Sequence, residues 1–208
     1  MLFKPFMREG FMPLPVTFIS TIGADGVRNI APYSCVMPVL RPLDLICLAS
    51  AIKRDTLRNI RANGEFVVNL ATAEFIDEVM VTARHEPPEV DEFELAGLEE
   101  KPSETIRAPG IAGCYGWMEC VLHKEYEESN YVLLIGKVLR LEISDDALNP
   151  DGTLNVIKAK PLMATGGGKG LNYGTILDLG REDAYGAMFS DGKDPLAGLY
   201  EEPPRGDK

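Results

Sequence analysis

Residues suited to holding an anion concentrate in one stretch of the chain, Ala49, Ser50, Ala51, Ile52, Lys53, Arg54, Asp55 and Thr56. Leu57 and Ile60 follow three apart, as on one face of a helix, so the cations and hydroxyls gather where a helix begins. A helix start exposes unpaired backbone N–H groups and the positive end of the dipole, and Ser50, Lys53, Arg54 and Thr56 around it would make a phosphate seat. Asp55 is expected as the N-cap, Thr56 as the first helical residue and Gly64 as the stop. An ordinary capped helix with two solvated cations fits the same residues.

A second candidate lies earlier, at Asn29, Ala31, Pro32, Tyr33 and Ser34. Pro32 has no N–H to give a sheet ladder, so a strand over 27–37 must run along an edge or break there. Backbone groups between Ala31 and Ser34 are then available to a ligand, with the side chains of Asn29 and Ser34 beside them. A proline-induced bulge without a ligand explains the pattern equally well.

Several elements must position these residues. Strands are expected over 15–22, 27–37, 43–48, 65–71, 115–126 and 131–143, with a Gly-Ala-Asp-Gly turn after the first. The third of these strands should deliver the chain into a loop ahead of the helix start. In the last two, Met118, Cys120 and Leu122 oppose Trp117, Glu119, Val121 and His123, while Leu133, Ile135, Leu139, Leu141 and Ile143 share a face. Gly136 marks a bend or a close approach. Residues 73–84 carry Phe75, Ile76, Val79 and Met80 on one helical face, a lid on the barrel or on a neighbouring subunit. About seven strands and two helices, seldom alternating, favour an antiparallel barrel over a parallel α/β sheet. The run Ala164 to Gly170 (ATGGGKG) lacks both Walker A and G-x-G-x-x-G spacing and is expected to be a flexible loop.

The net charge of −11 argues against nucleic acid, and no apolar run approaches the roughly 20 residues that span a bilayer. The first fifteen residues lack the apolar centre of a signal peptide, so a cytoplasmic protein is expected. Cys35, Cys47, Cys114 and Cys120 form no C-x-x-C pair and should behave as small hydrophobes. With only His85 and His123 besides, no metal site is expected. His85, next to prolines, reads as a surface residue, and His123, alternating with Glu119 and Glu125, as an ion-paired one.

In this order the chain resembles the flavin reductase family of FMN-binding split β-barrel proteins, including its flavoredoxin-like members. The resemblance runs over roughly residues 13–175. It rests on Pro15-Val16-Thr17 with the Gly-Ala-Asp-Gly turn, Asn29-x-Ala31-Pro32-x-Ser34, Asp55-Thr56-x-x-Asn59-Ile60, Phe66-Val67-Val68-Asn69-Leu70, Asp91-x-Phe93 with Gly97-Leu98, Glu119-Cys120 and Gly136-x-Val138. It implies an N-terminal arm over 1–12, a barrel over 13–175 and an irregular C-terminal arm over 176–208. It further implies a homodimer with FMN near the interface, NADH or NADPH as co-substrate, and a monooxygenase or redox protein as partner. Ser50, Lys53, Arg54, Asp55 and Thr56, with Ala49, would hold the phosphate, Asp55 orienting Arg54. Asn29 and the backbone of Ala31, Pro32, Tyr33 and Ser34 would face the flavin ring, and Tyr173 would retain part of a late family motif. The flavin would carry the redox chemistry, so no catalytic side chain is assigned.

Two family features are altered. Ser129-Asn130-Tyr131 stands where many NAD(P)H-dependent members have Gly-Asp-His, and Pro161-Leu162-Met163-Ala164 lacks the arginine of Pro-Leu-x-Arg. Tyrosine does not change charge near neutral pH as histidine does. The resemblance therefore leaves open an FMN-carrying electron-transfer protein and, beyond it, a cofactor-free binding barrel.

Overall fold

The computed structural model describes residues 1–40, 43–167 and 170–180. Lys169 of the glycine-rich run and the part of the C-terminal arm beyond residue 180 lie outside the described residues. The strands are β1 (Leu14–Pro15), β2 (Thr17–Ile22), β3 (Arg28–Tyr33), β4 (Val36–Pro38), β5 (Leu45–Ala51), β6 (Glu65–Leu70), β7 (Glu100–Lys101), β8 (Gly110–Ile111), β9 (Gly116–Glu127), β10 (Tyr131–Ile143), β11 (Met163–Gly167) and β12 (Gly170–Gly174). The α-helices are α1 (Asp55–Asn63), α2 (Ile76–Thr82), α3 (Glu92–Ala96) and α4 (Val156–Ala159), with 3₁₀ turns at Pro5–Gly10, Ala73–Phe75 and Asp145–Ala147.

Seven strands form one curled antiparallel sheet in the order β3-β2-β6-β9-β10-β5-β4, the mainly β split barrel that the sequence leads one to expect. Its central strands are covered on both faces, and alternate side chains enter two cores. Phe18, Val67 and Trp117 join one core with Phe93 and Val79 from the helices. Ile19, Phe66, Val68 and Cys120 join the other with Leu48, Leu134 and the α1 residues Leu57 and Ile60. Fully burying Leu57 and Ile60 is worth about 1.5–3 kcal/mol each, which seats α1 on the sheet. Its polar face is tied down too, since the Asn59 amide donates to Thr21 Oγ1 at 3.1 Å.

The strand expected over 27–37 divides at Ser34 and Cys35, and its halves end on opposite edges of the sheet, β3 on one and β4 on the other. The one over 43–48 instead starts at Leu45 and runs on to Ala51, so Ala49 and Ser50 belong to a strand rather than a loop. Residues 15–22 also divide: Leu14 and Pro15 pair with β11, because the Val16 N–H turns to the Leu162 carbonyl. The described residues of the glycine-rich run are strand rather than loop, Met163–Gly167 pairing with Gly170–Gly174.

In β10, register shifts at Ile135/Gly136 and Val138/Arg140 bend the strand, and Val132 and Leu134 are the residues buried in the core. The apolar face expected through Leu133 and Leu141 is the other one, and Leu139 and Leu141 are exposed. Gly136 meets the ring of Phe66, so the close approach is to a side chain. His123 is exposed, and the carboxylates expected beside it are otherwise engaged, Glu125 with Arg61 and Glu119 with Thr105. Cys35 is exposed, unlike the buried Cys114 and Cys120.

Candidate functional site

A sheet that curls until its edges approach leaves a gap between them, and here the gap is bridged by side chains. The hydroxyls of Tyr33, at the end of β3, and Ser50, in β5, lie 3.0 Å apart, and the Ala49 N–H donates to the Cys35 carbonyl at 3.0 Å. Beside this bridge opens a cleft of about 390 Å³. Its walls are the β3 edge (Asn29, Ala31, Pro32, Tyr33, Ser34), Ala49 and Ala51 of β5, the start of α1 with Lys53, Arg54, Asp55 and Thr56, residues 82–86, Glu92, and Ala164 to Gly166 with Leu171 of the hairpin.

The first wall owes its shape to Pro32. The Ile30 N–H points off the sheet to Glu92 Oε2 at 2.7 Å, so N–H groups two residues along β3 face the same way. Pro32 occupies such an outward position and removes no ladder bond. By the same alternation its carbonyl points off the sheet, and Pro32 lines the cleft.

The second wall departs from expectation in one respect. Arg54, not Asp55, is the N-cap of α1, and no side chain caps the helix. Asp55 is the first helical residue, where an acid suits the dipole, and its carboxylate takes Arg58 at 2.5 Å instead of orienting Arg54. The leading N–H groups of α1 thus have no side-chain cap, beside Lys53 and Arg54. The helix does end at Gly64, in the left-handed conformation with φ 75°.

Asn29 and Thr56 are both buried and join the walls. In the amide orientation that satisfies both of its ends, Asn29 accepts from Thr56 Oγ1 and from the Ile30 N–H, and donates to Glu92 Oε2, each at 3.2 Å. Asn29 therefore links strand edge and helix start, with its side chain turned to protein partners.

Ten of the twelve residues anticipated for cofactor binding line the cleft, Ser50 and Tyr173 being the others. Ser50 sits behind the wall on Tyr33. Tyr173 lies opposite Ala164 in the hairpin, packs on the core and donates from its hydroxyl to Met80 Sδ at 3.4 Å. Tyr131 begins β10 opposite Ala51 of the cleft wall.

Other residues were not foreseen. His85, read as a surface residue, lines the cleft, and the Arg54 guanidinium lies 3.1 Å from its Nε2. Arg84 and Glu86 flank it there. Glu92 is buried at the cleft wall, and desolvation, with Asp55, Glu86 and Asp91 nearby, pushes its carboxyl up to about 7 despite the stabilising Ile30 N–H. Asp91 and Gly97 cap α3, a helix not anticipated from the sequence, and the Ile30 partner of Glu92 lies 62 residues away and leaves no local trace. Among the described residues, no cluster of histidine, cysteine and carboxylate side chains could hold a metal ion, and no helix is long and apolar enough to cross a membrane.

Comparison with known proteins gives a consistent family. The family model described as "Flavin reductase like domain" matches residues 7–167. An uncharacterised protein of Methanothermobacter thermautotrophicus is 56% identical over 206 residues, covering 97% of each chain. The crystal structure of nitrilotriacetate monooxygenase component B from Bacillus cereus is 28% identical, covers 88% of this chain and 98% of that one, and superposes with a TM-score of 0.77. An NADH-dependent FAD reductase of Streptomyces globisporus is 29% identical over 134 residues, 62% of this chain and 70% of its own.

Proposed function

The chain belongs to the flavin reductase like domain family, and on that premise we propose that it is an FMN-binding oxidoreductase that receives hydride from NADH or NADPH. The observation that carries the reading is the joining of two complementary walls in one cleft: uncapped α1 N–H groups beside Lys53 and Arg54, and the free β3 edge at Ala31 to Ser34. The first suits a phosphate, through charge-assisted hydrogen bonds and the helix dipole. The second offers backbone groups on the free β3 edge, the Pro32 carbonyl among them, to the polar edge of a flat ring. FMN, with a single phosphate, matches this corner.

Bound flavin supplies the hydride chemistry, accepting two electrons and a proton as one unit. The protein's part is placement. Lys53, Arg54 and Thr56 anchor one end, the Asn29 bridge keeps the anchor in register with β3, and Ala49 and Ala51 leave the cleft floor unobstructed. Residues 82–86, Ala164 to Gly166 and Leu171 line the same cleft. The nitrilotriacetate monooxygenase component and the NADH-dependent FAD reductase support a role in which reduced flavin is delivered to a monooxygenase or another redox protein.

Tyr131 favours a second reading, an FMN-carrying electron-transfer protein reduced by a partner protein, because a tyrosine, and not the histidine that the resemblance leads one to expect, stands opposite Ala51. Purified protein supplied with FMN and with NADH or NADPH separates the two. Nicotinamide oxidation that requires FMN supports the reductase. Tightly held FMN reduced by dithionite but by neither nicotinamide supports the electron carrier.

A further inference from the structure

We propose that Glu92 is a positioning residue whose carboxylate takes up a proton from solvent when the flavin nucleotide enters the cleft, so that cofactor affinity is set by pH. This rests on the flavin reading above. Three features of the site carry it.

The first is connectivity. Both bonds to the Glu92 carboxylate, from the Ile30 N–H at 2.7 Å and the Asn29 amide at 3.2 Å, fall on Oε2. A proton can therefore be added to Oε1 without breaking either, and Oε1 then becomes a donor on the cleft wall. The second is position. Through Asn29 and Thr56 the same carboxylate is joined to the start of α1, so its charge is felt at both walls.

The third is the charge around it. Asp55 on α1, Glu86 after α2 and Asp91 at the head of α3 all oppose its ionisation. Arg28 on β3 is engaged by Asp91 at 2.7 Å and by Glu100 at 3.1 Å, and Arg54 lies against His85. Lys53 and Arg84 complete the cations of the cleft wall. Burial already places the carboxyl near neutrality, at about 7, and an entering dianion adds negative charge to a crowded acidic corner. Protonation removes that charge. The balance is one proton from bulk water joined to one carboxylate, with no electron transferred.

Glu92→Gln keeps an acceptor for Ile30 and Asn29, presents an amide donor at the other position and cannot titrate. Calorimetric titration with FMN at pH 7.5, in buffers of differing ionisation enthalpy, counts the protons exchanged. A rise of about one unit in a group near neutrality predicts uptake of about half a proton per FMN in the wild type relative to the variant. The phosphate of FMN, ionising near pH 6, contributes equally to both proteins. FMN affinities should converge below about pH 6.5, and the variant should bind up to about tenfold tighter at pH 8.5. In the wild type alone, the Ile30 amide resonance should titrate near pH 7 and move to higher pH with FMN bound, a readout independent of how the variant folds. FMN binding with equal proton counts and parallel pH profiles, or an Ile30 midpoint that FMN does not move, would overturn the proposal. A wild type that does not bind FMN would overturn the flavin reading with it.

Discussion

At Gly136 a methyl group would enter the van der Waals envelope of the Phe66 ring, which is fully buried and has little room to retreat. Gly136→Ala should therefore destabilise the fold by about 1–3 kcal/mol, the usual cost of overpacking, as measured by urea unfolding. A variant as stable as the wild type would mean that the register shift beside Gly136 absorbs the contact. Asp55 teaches a different lesson, because an acid, a hydroxyl and an apolar pair in sequence look like a cap followed by a first turn. The helix begins one residue earlier than those signals suggest, with Arg54 as its N-cap, and the carboxylate turns along the helix to Arg58.

The loop between β7 and β8 is held against the main sheet by a buried carboxylate. Glu119 accepts from the Glu104 N–H at 2.9 Å, the Thr105 N–H at 2.7 Å and Thr105 Oγ1 at 2.5 Å. Burial pushes its pKa up, but these bonds, with Arg140 beyond them, outweigh it and hold the carboxyl below its usual range. A group depressed in this way stabilises the fold above its unfolded pKa and loses that contribution as pH falls through the folded value. Glu119→Gln should cost about 1.5–3 kcal/mol at pH 7, and the gap from the wild type should close as the solution is acidified, by thermal melting at several pH values. A gap unchanged down to acid pH would show that the charge contributes nothing. Much of the element order was legible because periodicity and turn residues are local: the limits of β10 and the stop of α1 at Gly64 follow from them. An edge or a break near Pro32 was legible from the proline itself, but the placing of the two halves on opposite edges was not, because partners distant in sequence decide it. The cleft was legible where its residues cluster in sequence, from Lys53 to Thr56 and from Ala31 to Ser34. His85 and Glu92 were missed because packing of α2 and α3, rather than any motif, brings them there.

At the scale of the molecule, one apolar surface is left uncovered among the described residues. Leu43, Leu139 and Leu141 are exposed beside a groove of about 360 Å³ lined by Pro38, Leu45, Ile46, Met118 and Val138. A contiguous apolar surface of this kind suits a second copy, and we expect a homodimer in which Leu139→Lys with Leu141→Lys yields a folded monomer by sedimentation velocity. A wild-type monomer at micromolar concentration would contradict that expectation. The start of α1 is expected to grip the phosphate of a flavin nucleotide, and comparison of FMN with riboflavin by fluorescence quenching tests this most directly. Lost charge-assisted hydrogen bonds at about 1.5–3 kcal/mol each predict that FMN binds at least about tenfold tighter than riboflavin, and that Arg54→Ala removes most of the difference. Equal affinity for the two flavins, or no binding of either, would contradict the account.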